Sequence, residues 1–586
     1  MMYATRRGPS GRLLIGALGA AAFAGWLSQS RPQAQAAADL VLINGTILTV
    51  DAYDSIAQAV AIADGRIVAV GSSDAIKRRI GANTRVIDLR GRTATPGLID
   101  SHVHFSMADA MFTVDLSDPS VKRIDDVLAR VRDQVAKLKP GEWVRGRGWD
   151  EGRLTERRYI SAADLDKVAP NNPVWLMQTT GHYGVANSYA LKLAGVERET
   201  PDPPAGTIDR DANGKPTGVL KESAFDLVTR HVPPLSRDQM KQGIVRMVRE
   251  FNAEGMTGAK DPGIGPEKWE LYREILAENQ LTVRVFALWS GGRTVESAKE
   301  ALGRLAQFPR PPASLGDGRL LSGGVKIFMD GSGGARTAWM YDDFNKSFSD
   351  KDTGNHGYPT TAPDVYRQMV QLLHAANVHV STHAIGDRAI DWVVDTYDQV
   401  LKDKPTPGLR HGIIHANTPS DHAIDTFARL QREFDAGYPE AQATFLWWLG
   451  DNYAGNLGAL RVGRLEPFKT YVEKGVKWGG GSDFGVTPFA ARYSLWASVA
   501  RATLNGTYGA QPFGTRESID IRTALRSHTI WAAHQMFLDN RVGSIEVGKD
   551  ADIAVWDRDL YTVPTERLKD LKCELTLVAG RIVYGS

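Results

Sequence analysis

An eight-stranded parallel α/β barrel is the fold this sequence predicts, and three observations predict it. Apolar, strand-like runs alternate with amphipathic helical stretches through the middle of the chain, the pattern of βα units around a parallel sheet. Eight such runs occur, the number that closes a barrel. Short β-branched runs with hairpin turns lie outside that alternation at both ends, and predict a satellite sheet domain built from the two termini.

The elements follow in order. Arg6, Arg7 and Arg12 precede an apolar run from Leu13 to about Leu27, and then Ala34-Gln35-Ala36. This is the pattern of a secretory signal, with paired arginines resembling a twin-arginine export signal, so residues 1–36 are expected to be a signal peptide and the protein to be periplasmic or secreted. The apolar run is too short for a comfortable membrane span, and no other segment looks membrane-spanning. Asp39 to Val50 and Ala59 to Gly71 read as short strands, the latter folded at Asp64-Gly65. Ala551 to Asp557 and Leu575 to Tyr584, with a turn at Ala579-Gly580, repeat that character, so residues 39–93 and 538–586 are expected to form one domain.

Residues 94–537 are expected to be the barrel. Its candidate strands are Thr95 to His102, Met256 to Asp261, Val283 to Trp289, Gly324 to Met329, Val378 to His383, His411 to His415, Ala441 to Phe445 and Lys477 to Asp483. An interval of about 115–234 is too long for a loop and predicts an inserted subdomain over one mouth, with Val174 to Met177 as a strand.

Composition excludes several classes. The chain's 586 residues can bury a sizeable core. Lys plus Arg (70) nearly balances Asp plus Glu (68), leaving no basic field for nucleic acid. The single cysteine, Cys573, cannot form an internal disulfide.

The chemistry-bearing residues fall at strand ends, where barrel active sites are assembled. His102 and His104 are two apart at the end of an apolar run, so on a strand both imidazoles face one side. His383 closes VHVSTHAIGD, His415 closes HGIIHAN and Asp483 closes KWGGGSDFG. Each has a structural alternative, such as a hydrogen-bonded core histidine or a helix cap, but together they read as a metal-ligand set. Lys326 lies in the apolar run GGVKIFMDGSGG. A buried ammonium must be paired, deprotonated or chemically changed, so it is either ion-paired, for instance to Asp330 or Asp261, or carbamylated to bridge metal ions.

His-x-His on the first strand, then Lys, His, His and Asp on the fourth, fifth, sixth and eighth, resembles the amidohydrolase superfamily. GWDEGR (Gly148 to Arg153), TGHYGVANSYAL (Thr180 to Leu191), PTGVLKE (Pro216 to Glu222), VKIFMDGS, HAIGDRA and VGSIEVGKDADIAVWD resemble its amidohydrolase-3 branch, which includes N-substituted formamide deformylase-like proteins. The likeness covers nearly all of the chain after the leader. It implies a distorted (β/α)8 TIM barrel with a β-sandwich from both termini. It also implies one divalent metal on His102, His104 and Asp483, a second on His383 and His415, and a carbamate on Lys326 between them. Zinc is the expected ion, as one or two per chain.

The implied activity is hydrolysis of a non-peptide carbon–nitrogen bond in a small amide, N-acyl or N-formyl compound by metal-activated water, with Asp483 carrying the proton. His182, in the insertion, is a candidate for holding the substrate carbonyl or oxyanion. Trp149, Asp150, Phe445, Trp447 and Trp448 are either core or pocket wall. Two positions depart from the family pattern: Ile414 stands where a carboxylate is expected, and Ala441 to Trp448 lacks the Gln-Pro feature after the seventh strand. Rival readings are a lactonase or esterase on the same centre, and an exported binding protein without turnover; a deaminase is disfavoured because it has no need of the strand-four lysine.

Overall fold

In a computed structural model of the chain, residues 37–105, 113–118, 120–308, 312–315, 317–345, 354–506 and 514–586 are described; the expected signal peptide, residues 1–36, lies outside them.

The central sheet is a nearly closed parallel barrel. Its strands run, in chain order, Leu98–Asp100, Met256–Ile264, Arg284–Ser290, Leu320–Phe328, His379–Ala384, Gly412–His415, Tyr438–Ala441 and Gly479–Gly480. Each pairs in parallel with the next. The seam between the eighth and the first is closed by two hydrogen bonds, Ser101 N to Gly480 O at 2.9 Å and Asp483 N to His102 O at 2.7 Å. The Gly479-Gly480-Gly481 run is what permits this approach. A Cβ at Gly479 would lie 2.6 Å from Ser101 Cβ, one at Gly480 2.4 Å from the His528 ring, and one at Gly481 2.9 Å from His102 N. A side chain at Gly479 or Gly481 would push the seam apart, and one at Gly480 would displace His528.

Three expected strands are corrected. Thr95 and Pro96 belong to a separate strand, Thr93–Pro96, that pairs with Ile553–Trp556 of the terminal domain, so the first barrel strand begins only at Leu98. Phe445 is not in the seventh strand, which ends at Ala441; it lies in the helix Ala443–Trp448. The eighth strand shrinks to its two glycines, because the chain must turn at Ser482 and Asp483 into the site. The apolar periodicity is shared by these flanking segments, which are buried without being barrel strands.

Two further sheets pack face to face. Arg66–Gly71, Ala59–Ala63, Leu40–Ile43 and Arg85–Asp88 make one; Arg581–Gly585, Cys573–Val578, Ile553–Trp556, Thr93–Pro96, Thr46–Leu48 and Ile56–Ala57 make the other, which mixes both ends of the chain. Leu42, Val60, Ile62, Ile553, Val555 and Leu577 fill the space between them. Both hairpins turn on paired positive φ angles, Asp64 and Gly65 at 49° and 75°, Ala579 and Gly580 at 46° and 73°. That geometry matches the right-handed twist of the flanking strands. A fourth sheet, of six strands between Val114 and Glu222, with its own apolar core, leaves the chain between the first and second barrel strands.

Arg284, at the start of the third barrel strand and 1% exposed, locks the barrel to the terminal domain. Its guanidinium makes two hydrogen bonds to Asp552, at 2.7 and 2.9 Å, and one to Asp550 at 3.1 Å. Removing one partner of such a group leaves the others charged and buried. Arg284→Ala should therefore cost about 3–5 kcal/mol and lower the unfolding midpoint in urea, followed by circular dichroism. An unchanged midpoint would mean that the sandwich is held by apolar contacts alone.

Candidate metal centre

The barrel's C-terminal mouth gathers the residues from sequence into one cluster. His102 and His104 follow the first strand, and the main-chain bond from Asp483 to His102 brings the end of the eighth strand beside them. One Nε2 of each histidine and Asp483 Oδ1 lie within 4.8 Å of one another. His102 Nε2 is 3.4 Å and His104 Nε2 3.2 Å from Asp483 Oδ1. Yet neither ring nitrogen of His102 nor Asp483 Oδ1 makes a hydrogen bond, although all three are buried. Buried polar atoms without partners are costly, and here two of them, His102 Nε2 and Asp483 Oδ1, face each other.

Asp100 sets the approach. It accepts from Ser482 Oγ at 2.5 Å, from Ser482 N at 3.1 Å and from His102 N at 3.0 Å, so one carboxylate holds both sides of the seam just below the ligands. Burial by itself would raise the Asp483 pKa, but the His102 and His104 imidazoles outweigh it and hold it well below the usual carboxylate range. Asp483 is therefore an ionised acceptor.

His383 and His415, on adjacent strands, form the second half, with Nδ1 of the first 3.0 Å from Nε2 of the second. Their tautomers are fixed from outside. His383 Nε2 faces the Gly331 carbonyl at 2.8 Å and must donate to it, which leaves Nδ1 bare. Gln442 donates its amide N–H to Glu440 O, so its Oε1, 2.8 Å from His415 Nδ1, accepts from that nitrogen and leaves Nε2 bare. Burial lowers both pKa values well below the ordinary histidine value, so neither ring carries an extra proton. Two lone pairs thus face each other across 3.0 Å, an arrangement that a shared cation relieves. The His102 and His415 ring centroids are 5.2 Å apart, which makes the two halves one continuous donor set. Four imidazoles and a carboxylate fit a divalent cation.

Lys326 rises from the fourth strand, 2% exposed, with its pKa pushed down to about 7 by burial against the opposing pull of Asp483 and Glu440. The two carboxylates considered as ion-pair partners are engaged elsewhere. Asp261 accepts from the Tyr272 hydroxyl, and Asp330 from the backbone N–H groups of Trp339, Ile385 and Gly386. A substantial fraction of neutral amine at neutral pH is the form that reacts with CO2.

The insertion delivers His182 to the same mouth, its ring centroid 5.1 Å from that of His383. Glu222 grips its Nδ1 at 3.0 and 3.1 Å. Burial opposes protonation of His182, but the Glu222 carboxylate prevails and raises its pKa. Of the aromatic candidates, Trp149 is core of the insertion, its indole N–H bonded to Leu176 O and its ring against Tyr159 and Tyr183. Phe445 stacks on His415. Trp448 lines a cavity of about 280 Å³ with Phe484, Pro488 and Tyr493, whereas Trp447 packs against Tyr493 and Trp496. Asp150 accepts from Gly152 N and Asn452 Nδ2, a link from the insertion to the barrel.

Sequence reasoning passed over Lys260, Glu440, Gln442 and Glu222. Lys260 carried the same signal as Lys326, a lysine in an apolar strand. Gln442 was hidden by a strand placed three residues late.

The chain matches the amidohydrolase family over residues 85–584. It is 31% identical to the N-substituted formamide deformylase of Arthrobacter pascens, over 93% of this chain and 98% of that one. It is 30% identical to the protein LONG AFTER FAR-RED 3 of Arabidopsis thaliana, over 95% and 94% of the two chains. Among solved structures, an uncharacterized metal-dependent hydrolase from Pyrococcus horikoshii OT3 superposes with a TM-score of 0.69 at 23% identity, covering 90% of this chain and 99% of that one. A distorted barrel carrying this donor set, matched along nearly its whole length, makes the chain a member of the amidohydrolase family.

Proposed function

We propose that this protein hydrolyses the carbon–nitrogen bond of a small non-peptide amide, with N-substituted formamides and related N-acyl compounds as the substrate class. The observation that carries the reading is the convergence of partnerless atoms: His102 Nε2, Asp483 Oδ1, and the facing lone pairs of His383 and His415. The name of the 31%-identical relative supports the substrate class. Export through the N-terminal leader belongs to the same reading.

When bound, a divalent cation supplies Lewis acidity, acting on the substrate carbonyl and on the attacking water. His102, His104 and Asp483 would hold one ion and His383 and His415 a second, with carbamylated Lys326 shared between them. The residues do the rest. Asp483, ionised and facing the cluster, takes the proton released as water oxygen bonds to the carbonyl carbon. It returns that proton to the nitrogen as the C–N bond breaks, so acid and amine leave together. His182, held by Glu222, presents its Nε2 side to the oxygen on which charge develops. The phenol of Tyr183 donates to Glu151 at 2.7 Å, which helps to fix the strand that follows His182.

Four outcomes are expected. Purified protein should carry zinc by elemental analysis, and stripping it with a chelator should abolish amine release from an N-substituted formamide until zinc is restored. Lactones turning over faster than amides would redirect the reading to an esterase. Lys326→Ala should lower the bound metal, and bicarbonate should not rescue it; retention of the full metal content would remove the carbamate from the scheme. Asp483→Asn should reduce kcat by about 100- to 10,000-fold. His182→Ala should cost about 100- to 1,000-fold in kcat with little change in KM, and His182→Ala turnover equal to the parent would exclude the oxyanion role.

A further inference from the structure

Beneath the metal ligands the barrel interior holds a charged cluster that the proposed reaction does not use. Lys260 on the second strand and Glu440 on the seventh are both 0% exposed, and Lys260 Nζ donates to Glu440 Oε1 at 2.7 Å. The other two ammonium hydrogens are also placed. Ser381 Oγ accepts at 2.9 Å, and His379 Nε2 lies at 3.2 Å. That nitrogen is an acceptor, because His379 Nδ1 must donate to the Leu409 carbonyl at 3.0 Å. Ser381 passes its own hydrogen to Glu440 Oε1 at 2.6 Å. Both hydrogen bonds that Glu440 accepts in the cluster, from Lys260 and from Ser381, end on Oε1.

Glu440 Oε2 is left without a hydrogen bond. It lies 3.8 Å from His102 Nδ1, which is also buried and also without one. Two orphaned atoms of complementary type therefore face each other on the side of His102 away from Asp483. A metal-binding imidazole generally donates its second ring N–H to a carboxylate or carbonyl, and that bond fixes its tautomer and orientation. A tilt of the ring that shortens the 3.8 Å separation would bring the pair into hydrogen-bond range. A single-sided neutralisation by Lys260 keeps Glu440 charged while leaving its second oxygen available.

We infer that Glu440 is a positioning residue for His102: it accepts the His102 Nδ1 proton, presents Nε2 to the metal, and is held in place by Lys260, Ser381 and His379. The inference rests on His102 being a metal ligand, and it extends the site by one carboxylate whose partner lysine comes from the opposite part of the barrel. It also accounts for a lysine and a glutamate inside a barrel core, where burying each charge is costly.

The test is zinc affinity, measured by competition with a chelator, in variants that keep the cluster neutral. Lys260→Met combined with Glu440→Leu removes both charges at once. It should retain the parent's circular dichroism and bind zinc 10- to 100-fold more weakly, about the effect of losing such a partner. Lys260→Met with Glu440→Gln should recover most of the affinity, because the amide oxygen still accepts from Nδ1. Cobalt-loaded forms of both should keep the parent's visible absorption intensity, since no ligand is lost. Parent-like zinc affinity in the Leu variant would overturn the inference, as would a changed cobalt spectrum, which would make Glu440 a direct ligand. Should the Leu variant not fold, ring nitrogen shifts of His102 in the zinc-loaded parent decide. A protonated Nδ1 supports the assignment, and a metal-bound Nδ1 overturns it. Absence of zinc binding by the parent would instead sink the metal reading itself.

Discussion

Electron pairs with nothing to bind are the constraint on which this structure turns. His383 and His415 face each other through bare nitrogens because a carbonyl and an amide oxygen on their far sides hold their protons. His102 and Asp483 add unpartnered atoms in the same space. Packing alone does not produce such a concentration of unsatisfied acceptors, since each would cost of the order of 1–3 kcal/mol without compensation. The surrounding elements are arranged to hold those pairs in place. Asp100 binds both sides of the seam, Gln442 bridges the sixth and seventh strands, and Glu222 brings the insertion's histidine to the rim.

Much of this was legible in the sequence, for a definite reason. Candidate ligands at strand ends share their position with the end of an apolar run, so His102, His104, His383, His415 and Asp483 are marked twice, by residue type and by place. The strand order and the hairpins at Asp64-Gly65 and Ala579-Gly580 were readable because turn chemistry and side-chain period agree there. Phe445 was misplaced because an apolar run does not say where a strand gives way to a helix. The helix Ala443–Trp448 is buried on nearly every side, so its sequence looks like strand.

What was illegible lies across strands. Glu440 pairs in register with Ile414, the position at which a carboxylate was expected, but no one-dimensional pattern reports which residues share a barrel layer. Lys260 could have been flagged by the argument applied to Lys326, that a lysine inside an apolar strand requires a partner. Its partner lies 180 positions away and becomes visible only when the second and seventh strands are seen across the interior.

The glycine seam carries a topological consequence. Asp100 and Ser482 are 382 positions apart in the chain, yet their hydrogen bonds close the barrel at the same spot where the ligands meet. The candidate ligand set therefore does not exist until the last strand has docked against the first, and a cation held there would act as a clasp on a ring. Amides at Ser101, Gly481 and Asp483 should be among those whose protection from solvent exchange depends most on occupancy, because opening the ring and releasing the ion are one event.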